Sequence, residues 1–95
     1  MYIPDEFRYL MHCFYSEIRE DSADEKEVIA TAVDACESKQ RPAALEFLQR
    51  FLEGDPSDQE LRGMWYASGP NFGYEDYQEL RQFLYLLLDE LKRRT

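Results

Sequence analysis

Apolar residues recur along this chain at three- and four-residue intervals, the period of an α-helix, and nowhere keep up the strict alternation of a half-buried strand. Phe7, Leu10, Met11, Phe14 and Ile18 fall at i, i+3, i+4, i+7 and i+11. They form one stripe of a first helix that begins near Pro4 or Asp5 and turns Tyr9, His12 and Ser16 to solvent. Ser22 and Glu25 have the Ser-x-x-Glu spacing of a capping box, in which each side chain accepts from an orphan N–H of the first turn. The spacing predicts a second helix from that point. Its buried face holds Val28, Ile29, Ala32, Val33 and Cys36, and the polar stretch from Glu37 to Arg41 closes it ahead of Pro42.

Pro42 suits the first turn of a third helix, where a missing N–H breaks no bond, and Gly54 suits a left-handed residue that ends one. Ala44, Leu45, Phe47, Leu48, Phe51 and Leu52 cover more than half of the circumference between them, which predicts a central position. Ser57 and Glu60 repeat the capping-box spacing directly after Pro56. The fourth helix then buries Leu61, Met64 and Trp65, sets Tyr66 on the opposite side near Gln59 and Arg62, and stops at Gly69-Pro70. A last helix from about Tyr74 or Glu75 to Arg93 carries Tyr77, Leu80, Leu84, Leu87, Leu88 and Leu91 in one stripe, with Phe83 and Leu86 outside it. Bases close it, at the end where carbonyls carry partial negative charge. The reading is all-α: a compact bundle of about five helices, one domain over residues 1–95, without repeats or low-complexity tracts.

Charge narrows the partners. Glu and Asp outnumber Lys and Arg 20 to 11, for a formal net charge of -9. Such a chain is repelled by phosphate backbones, so nucleic acid is excluded as a direct ligand. An apolar content of 44% with 15% aromatics argues against an acidic disordered tail. Two cysteines, Cys13 and Cys36, are too few for a disulfide framework and read as reduced thiols packing as small hydrophobes. The opening MYIPDEFRYL has neither a basic n-region nor an apolar h-region, and the longest apolar run, Phe83 to Leu88, is far short of a membrane span. A cytoplasmic protein without membrane contact is expected.

Candidate chemistry is sparse. His12 is the single histidine, and its neighbour Cys13 points about 100° away on a helix, so the two make no nucleophile–base pair. No CxxC, HExxH or Glu-x-x-His spacing offers a metal site, and Gly54, Gly63, Gly69 and Gly73 stand singly without forming a phosphate cradle. No cofactor, no metal and no catalytic residue is expected, and a small enzyme relying on His12 is the most remote reading.

The remaining signal is where the acids lie. Residues 1–40 hold ten acids against four bases, net -6, while residues 41–95 hold ten against seven, net -3. Glu17, Glu20, Asp21, Asp24, Glu25 and Glu27 crowd the junction of the first two helices. Glu53, Asp55, Asp58 and Glu60 lie at the third-to-fourth junction, and Glu75, Asp76 and Glu79 open the last helix beside Asn71, Phe72 and Tyr74. Acids at helix starts are favoured by the macrodipole alone. Tyr9, Tyr15, Tyr66 and Tyr74 on or near these polar faces add the residue type enriched where proteins bind each other. The candidate binding residues for a basic protein partner are thus Tyr15, Glu17, Glu20, Asp21 and Asp24, then Asp55, Asp58 and Tyr66, then Asn71, Tyr74, Glu75 and Asp76.

The order of these motifs resembles the CdiI immunity proteins of bacterial contact-dependent growth inhibition. The resemblance rests on an aromatic near the start, the segment Cys13-Phe14-Tyr15-Ser16-Glu17-Ile18, and an acidic Ser-x-x-Glu cap before an apolar helix. It continues in Leu45 to Leu52 followed by GDPSDQELRGMW, then Gly69, the aromatic loop NFGYEDY and the terminal LRQFLYLLLDEL. It implies a non-enzymatic antidote that binds the C-terminal toxin domain of a matching CdiA-type effector one to one and occludes its active site. Many such toxins are nucleases, and a nuclease must be basic to hold its substrate, so an acidic inhibitor has the complementary sign. The competing reading is a small helical adaptor or regulatory module that docks a partner helix or a second copy through Phe83 and Leu86 on the last helix.

Overall fold

Five α-helices and one 3-10 turn make up the regular structure of the described residues, with no strand among them. The structure is a computed structural model that describes residues 2–14, 24–69 and 76–94. We label the helices α1 (Asp5–Met11), α2 (Glu25–Ala35), α3 (Arg41–Glu53), α4 (Asp58–Ser68) and α5 (Tyr77–Arg94), with the 3-10 turn at Ser38–Gln40. This is the small all-α bundle that the apolar period requires. Its radius of gyration of 12.1 Å matches the roughly 12 Å expected of a compact chain of this length.

Helix α1 is shorter than its apolar stripe predicts. The N–H groups of Cys13 and Phe14 donate to the carbonyls of Leu10 and Met11, each at 3.0 Å. These i→i−3 bonds tighten the chain out of α geometry after Met11. Phe14 is fully buried all the same, reaching the core from the turn, while Ile18 lies outside the described residues.

The cap of α2 is Asp24, whose Oδ1 accepts from the Glu27 N–H at 2.9 Å. Ser22 was expected to cap this helix; it lies outside the described residues, and Asp24-x-x-Glu27 supplies the same acid-bearing spacing two residues later. Val28, Ile29, Ala32, Val33 and Cys36 are buried as the periodicity predicts. Arg41 closes the helix: its Nη2 donates to the carbonyls of Val33 and Cys36 at 3.1 and 3.2 Å, which pairs carbonyls left over at a C-terminus.

Helix α3 has Pro42 in its first turn and packs Ala44, Leu48 and Leu52 between α1 and α5. Leu45, Phe47 and Phe51 are only half-buried, so α3 is less enclosed than its apolar arc predicts. Gly54 is not the left-handed residue; it sits at φ -75°, and Asp55 takes φ +50°. Asp tolerates the left-handed region better than most residues, so the turn into Pro56 is made at Asp55 while Gly54 keeps a negative φ.

Helix α4 begins with the predicted capping box. The Glu60 N–H donates to Ser57 Oγ at 3.2 Å and the Ser57 N–H to Glu60 Oε1 at 3.1 Å. Gly69 ends it at φ +92°. A Cβ at Gly69 would stand 2.8 Å from Nε2 of the exposed His12 side chain, which can turn aside, so it is the left-handed backbone that opposes a side chain there.

Helix α5 starts at Tyr77, later than predicted, behind Asp76, whose Oδ1 accepts from the Gln78 N–H at 2.8 Å. It packs against α2, α3 and α4, and a helix with three neighbours needs an apolar arc wider than one stripe. This corrects the reading of Phe83 as peripheral: Phe83 is fully buried, edge-on to Trp65 and to Phe14 with both centroid distances 5.4 Å. Leu86 remains half-buried.

Truncating Phe83→Ala is expected to cost about 3–5 kcal/mol, as for other buried aromatics, whereas Ser57→Ala should cost about 1 kcal/mol through the lost cap. Urea denaturation of both variants checks this, and a Phe83→Ala loss no larger than that of Ser57→Ala would contradict the packing described.

Candidate partner-binding surface

Each thiol is bonded to a backbone carbonyl close by in the chain. Cys13 Sγ donates back to the Tyr9 carbonyl at 3.6 Å, and Cys36 Sγ to the Glu37 carbonyl at 3.7 Å. Burial pushes both thiols above the ordinary value, and for Cys36 the nearby Cys13 adds to the rise while the Arg41 guanidinium opposes it. Both are free thiols, and His12 is exposed. Among the described residues no group of three or more His, Cys, Asp or Glu side chains could hold a metal ion, and no helix is long and apolar enough to cross a membrane.

The acids of the α3–α4 junction are exposed, and most have local partners. Asp58 Oδ1 accepts from Arg81 Nη2 at 3.3 Å, and the same nitrogen donates to the Pro56 carbonyl at 2.9 Å, tying α5 to the start of α4. Glu60 belongs to the capping box, and Glu53 accepts from Gln49 at 3.4 Å. Asp55 alone of the four makes no side-chain bond among the described residues. Tyr66 is 58% exposed, with the Arg62 guanidinium 5.7 Å from its ring centroid. Asp58, Arg62 and Tyr66 are spaced i, i+4, i+8, so they share one side of α4.

The sequence candidates divide accordingly. Asp55, Asp58 and Tyr66 fall on α4 and its leading loop. Asp24 and Asp76 sit at the starts of α2 and α5, where their carboxylates accept backbone N–H groups. Tyr15, Glu17, Glu20, Asp21, Asn71, Tyr74 and Glu75 lie outside the described residues.

Two features were not anticipated. Tyr2 and Tyr85 are exposed, at 82% and 45%. A cleft of about 460 Å³ opens between the N-terminal segment and α3, lined by Tyr2, Pro4, Phe47, Phe51 and the Glu46–Arg50 ion pair. The signal for it was the width of the α3 apolar arc: Ala44, Leu48 and Leu52 fill the buried stripe, which leaves Phe47 and Phe51 as a second one. Phe47 packs on Phe7 at 4.7 Å between centroids and stacks on Phe51 at 6.2 Å, so the cleft wall is continuous with the core.

Comparison with protein-family models, with curated proteins and with solved structures finds no match.

The thiols give a pH test. An acid whose folded-state pKa is raised favours its neutral form in the fold, so its contribution is complete below the ordinary thiol value and is lost as pH climbs towards the raised one. Stability measured in urea is therefore expected to fall as pH rises past 9.0, the ordinary thiol value, and the fall should shrink in a Cys13→Ala, Cys36→Ala double variant.

Proposed function

We propose that this chain is an immunity protein of the CdiI type, which binds a cognate, basic C-terminal toxin domain in the cytoplasm and blocks it without chemistry of its own. The observation that carries the reading is a formal net charge of -9 on a small helical bundle whose exposed acids at the α3–α4 junction share one side of α4 with an exposed tyrosine two turns further on. A basic toxin is drawn to such a face by long-range attraction, which raises the association rate, while Tyr66 supplies an aromatic anchor. Asp55 is the acid best fitted to contact a cation on the partner, since the other three are engaged within the fold. The order of sequence motifs supports the same family.

The adaptor reading loses half of its basis, because Phe83 belongs to the core. Leu86 is left at the surface.

The direct test is co-purification with the variable C-terminal domain of a very large exported protein encoded immediately upstream. Glu53→Lys with Asp55→Asn spares both the capping box and the Asp58–Arg81 pair. Together they are expected to weaken toxin binding at least about tenfold at low salt, roughly 1.4 kcal/mol, and by less at high salt. Unchanged affinity and unchanged salt dependence in isothermal titration would remove the electrostatic account.

A further inference from the structure

The outward side of α5 is a strip of exposed residues lying opposite the buried arc of that helix: Gln78, Glu79, Gln82, Tyr85, Asp89, Lys92 and Arg93, with half-buried Leu86 at its middle. The positions 78, 82, 85, 89 and 92 recur at alternating steps of four and three and so line one side of the helix, a polar strip with Tyr85 and Leu86 as its large apolar side chains. Shallow concavities flank the strip, one reaching Lys26 and Ile29 of α2 and another reaching Gln49 and Glu53 of α3, with Leu86 lining the first and Tyr85 the second.

Charge along the strip is ordered. Its N-terminal end carries Glu79 and its C-terminal end carries Lys92 and Arg93, with Gln82 and Asp89 placed symmetrically between them. Glu79 and Lys92 have no ion-pair partner among the described residues, and Arg93, paired with Glu90, keeps a side chain 72% exposed. Such a face complements itself when turned end for end. A two-fold axis beside Tyr85 and Leu86 sets Glu79 of each copy against Lys92 and Arg93 of the other, Gln82 against Asp89, and gathers two tyrosines and two leucines at the centre. A parallel pairing would instead set Glu79 on Glu79 and Asp89 on Asp89. The antiparallel arrangement also opposes the two helix dipoles.

We infer that the outward face of α5 is a homodimer interface, in which two copies of this chain pack α5 against α5 antiparallel about a two-fold axis at Tyr85 and Leu86. The seam from Gln78 to Arg93 is about 22 Å long, the contact of one helix pair, so the dimer is weak, reversible and sensitive to salt. It uses none of the acids assigned above to the toxin, and it stands whether or not that reading holds.

Sedimentation equilibrium of the full chain from about 1 to about 500 µM, spanning the range of weak affinities, tests it with a charge-swap series. Wild type is expected to pass from monomer to dimer across this range in about 150 mM sodium chloride, where the mutual repulsion of two acidic copies is largely screened. Because each contact occurs twice by symmetry, Glu79→Arg or Arg93→Glu alone should weaken the dimer about tenfold or more, and the two together should restore it. Tyr85→Asp, which gathers carboxylates at the axis, should abolish it. All are surface changes, and circular dichroism checks that each variant folds. A wild type that stays monomeric throughout, a dimer indifferent to the single reversals, or a double variant that fails to recover would each overturn the assignment.

Discussion

The bundle depends on one contact, the ring of Phe83 held edge-on between Trp65 and Phe14. These three side chains come from α5, α4 and the turn after α1, three stretches of chain joined at a single buried point. Edge-to-face rings favour this arrangement beyond the area they bury, because the electropositive edge of one faces the electron-rich face of the next. Once Phe83 is fixed, the orientation of α5 about its axis is fixed, and with it which of its residues meet α2 and α3 and which are left to water. The polar strip on its outer side is a direct result.

Around that point the charged residues act as ties more than as a surface coat. Arg41 bonds the carbonyls at the end of α2 from the start of α3, Arg81 joins α5 to the loop before α4, and Arg94 bridges Glu90 and Asp34, holding the end of α5 against α2. Arginine suits all three places because its planar fork can serve two acceptors at once. Arg81 and Arg94 engage Asp58, Glu90 and Asp34 as they do so, so these ties hold the bundle together without altering its excess of carboxylate.

How far the sequence could be read follows from the range of the forces involved. Capping of α4 by Ser57 and Glu60 and its termination at Gly69 depend on neighbours three or four residues away, and they were legible. So were the buried stripes of α2 and α5, which follow from helical period alone. The burial of Phe83 depends on partners distant in the chain, Trp65 and Phe14, which no local pattern contains. The left-handed residue fell on Asp55 and not on Gly54, because Asp is one of the few side chains that tolerate that backbone and the general preference of glycine for it does not decide between neighbours. Of the candidate surface, the exposure of Tyr66 was legible from its place across the helix from the stripe of Leu61, Met64 and Trp65. That of Tyr85 was not, since it lies within an unbroken apolar run and only the packing of α5 shows that it faces out.

The contact between Gly69 and the imidazole of His12 has a topological consequence. These residues stand just before the stretches 70–75 and 15–23, which carry most of the aromatic and acidic positions singled out from sequence. Residues 57 positions apart along the chain thus lie side by side, and a molecule that touches one of them is within reach of the other. Linear separation in the gene here conceals adjacency in space.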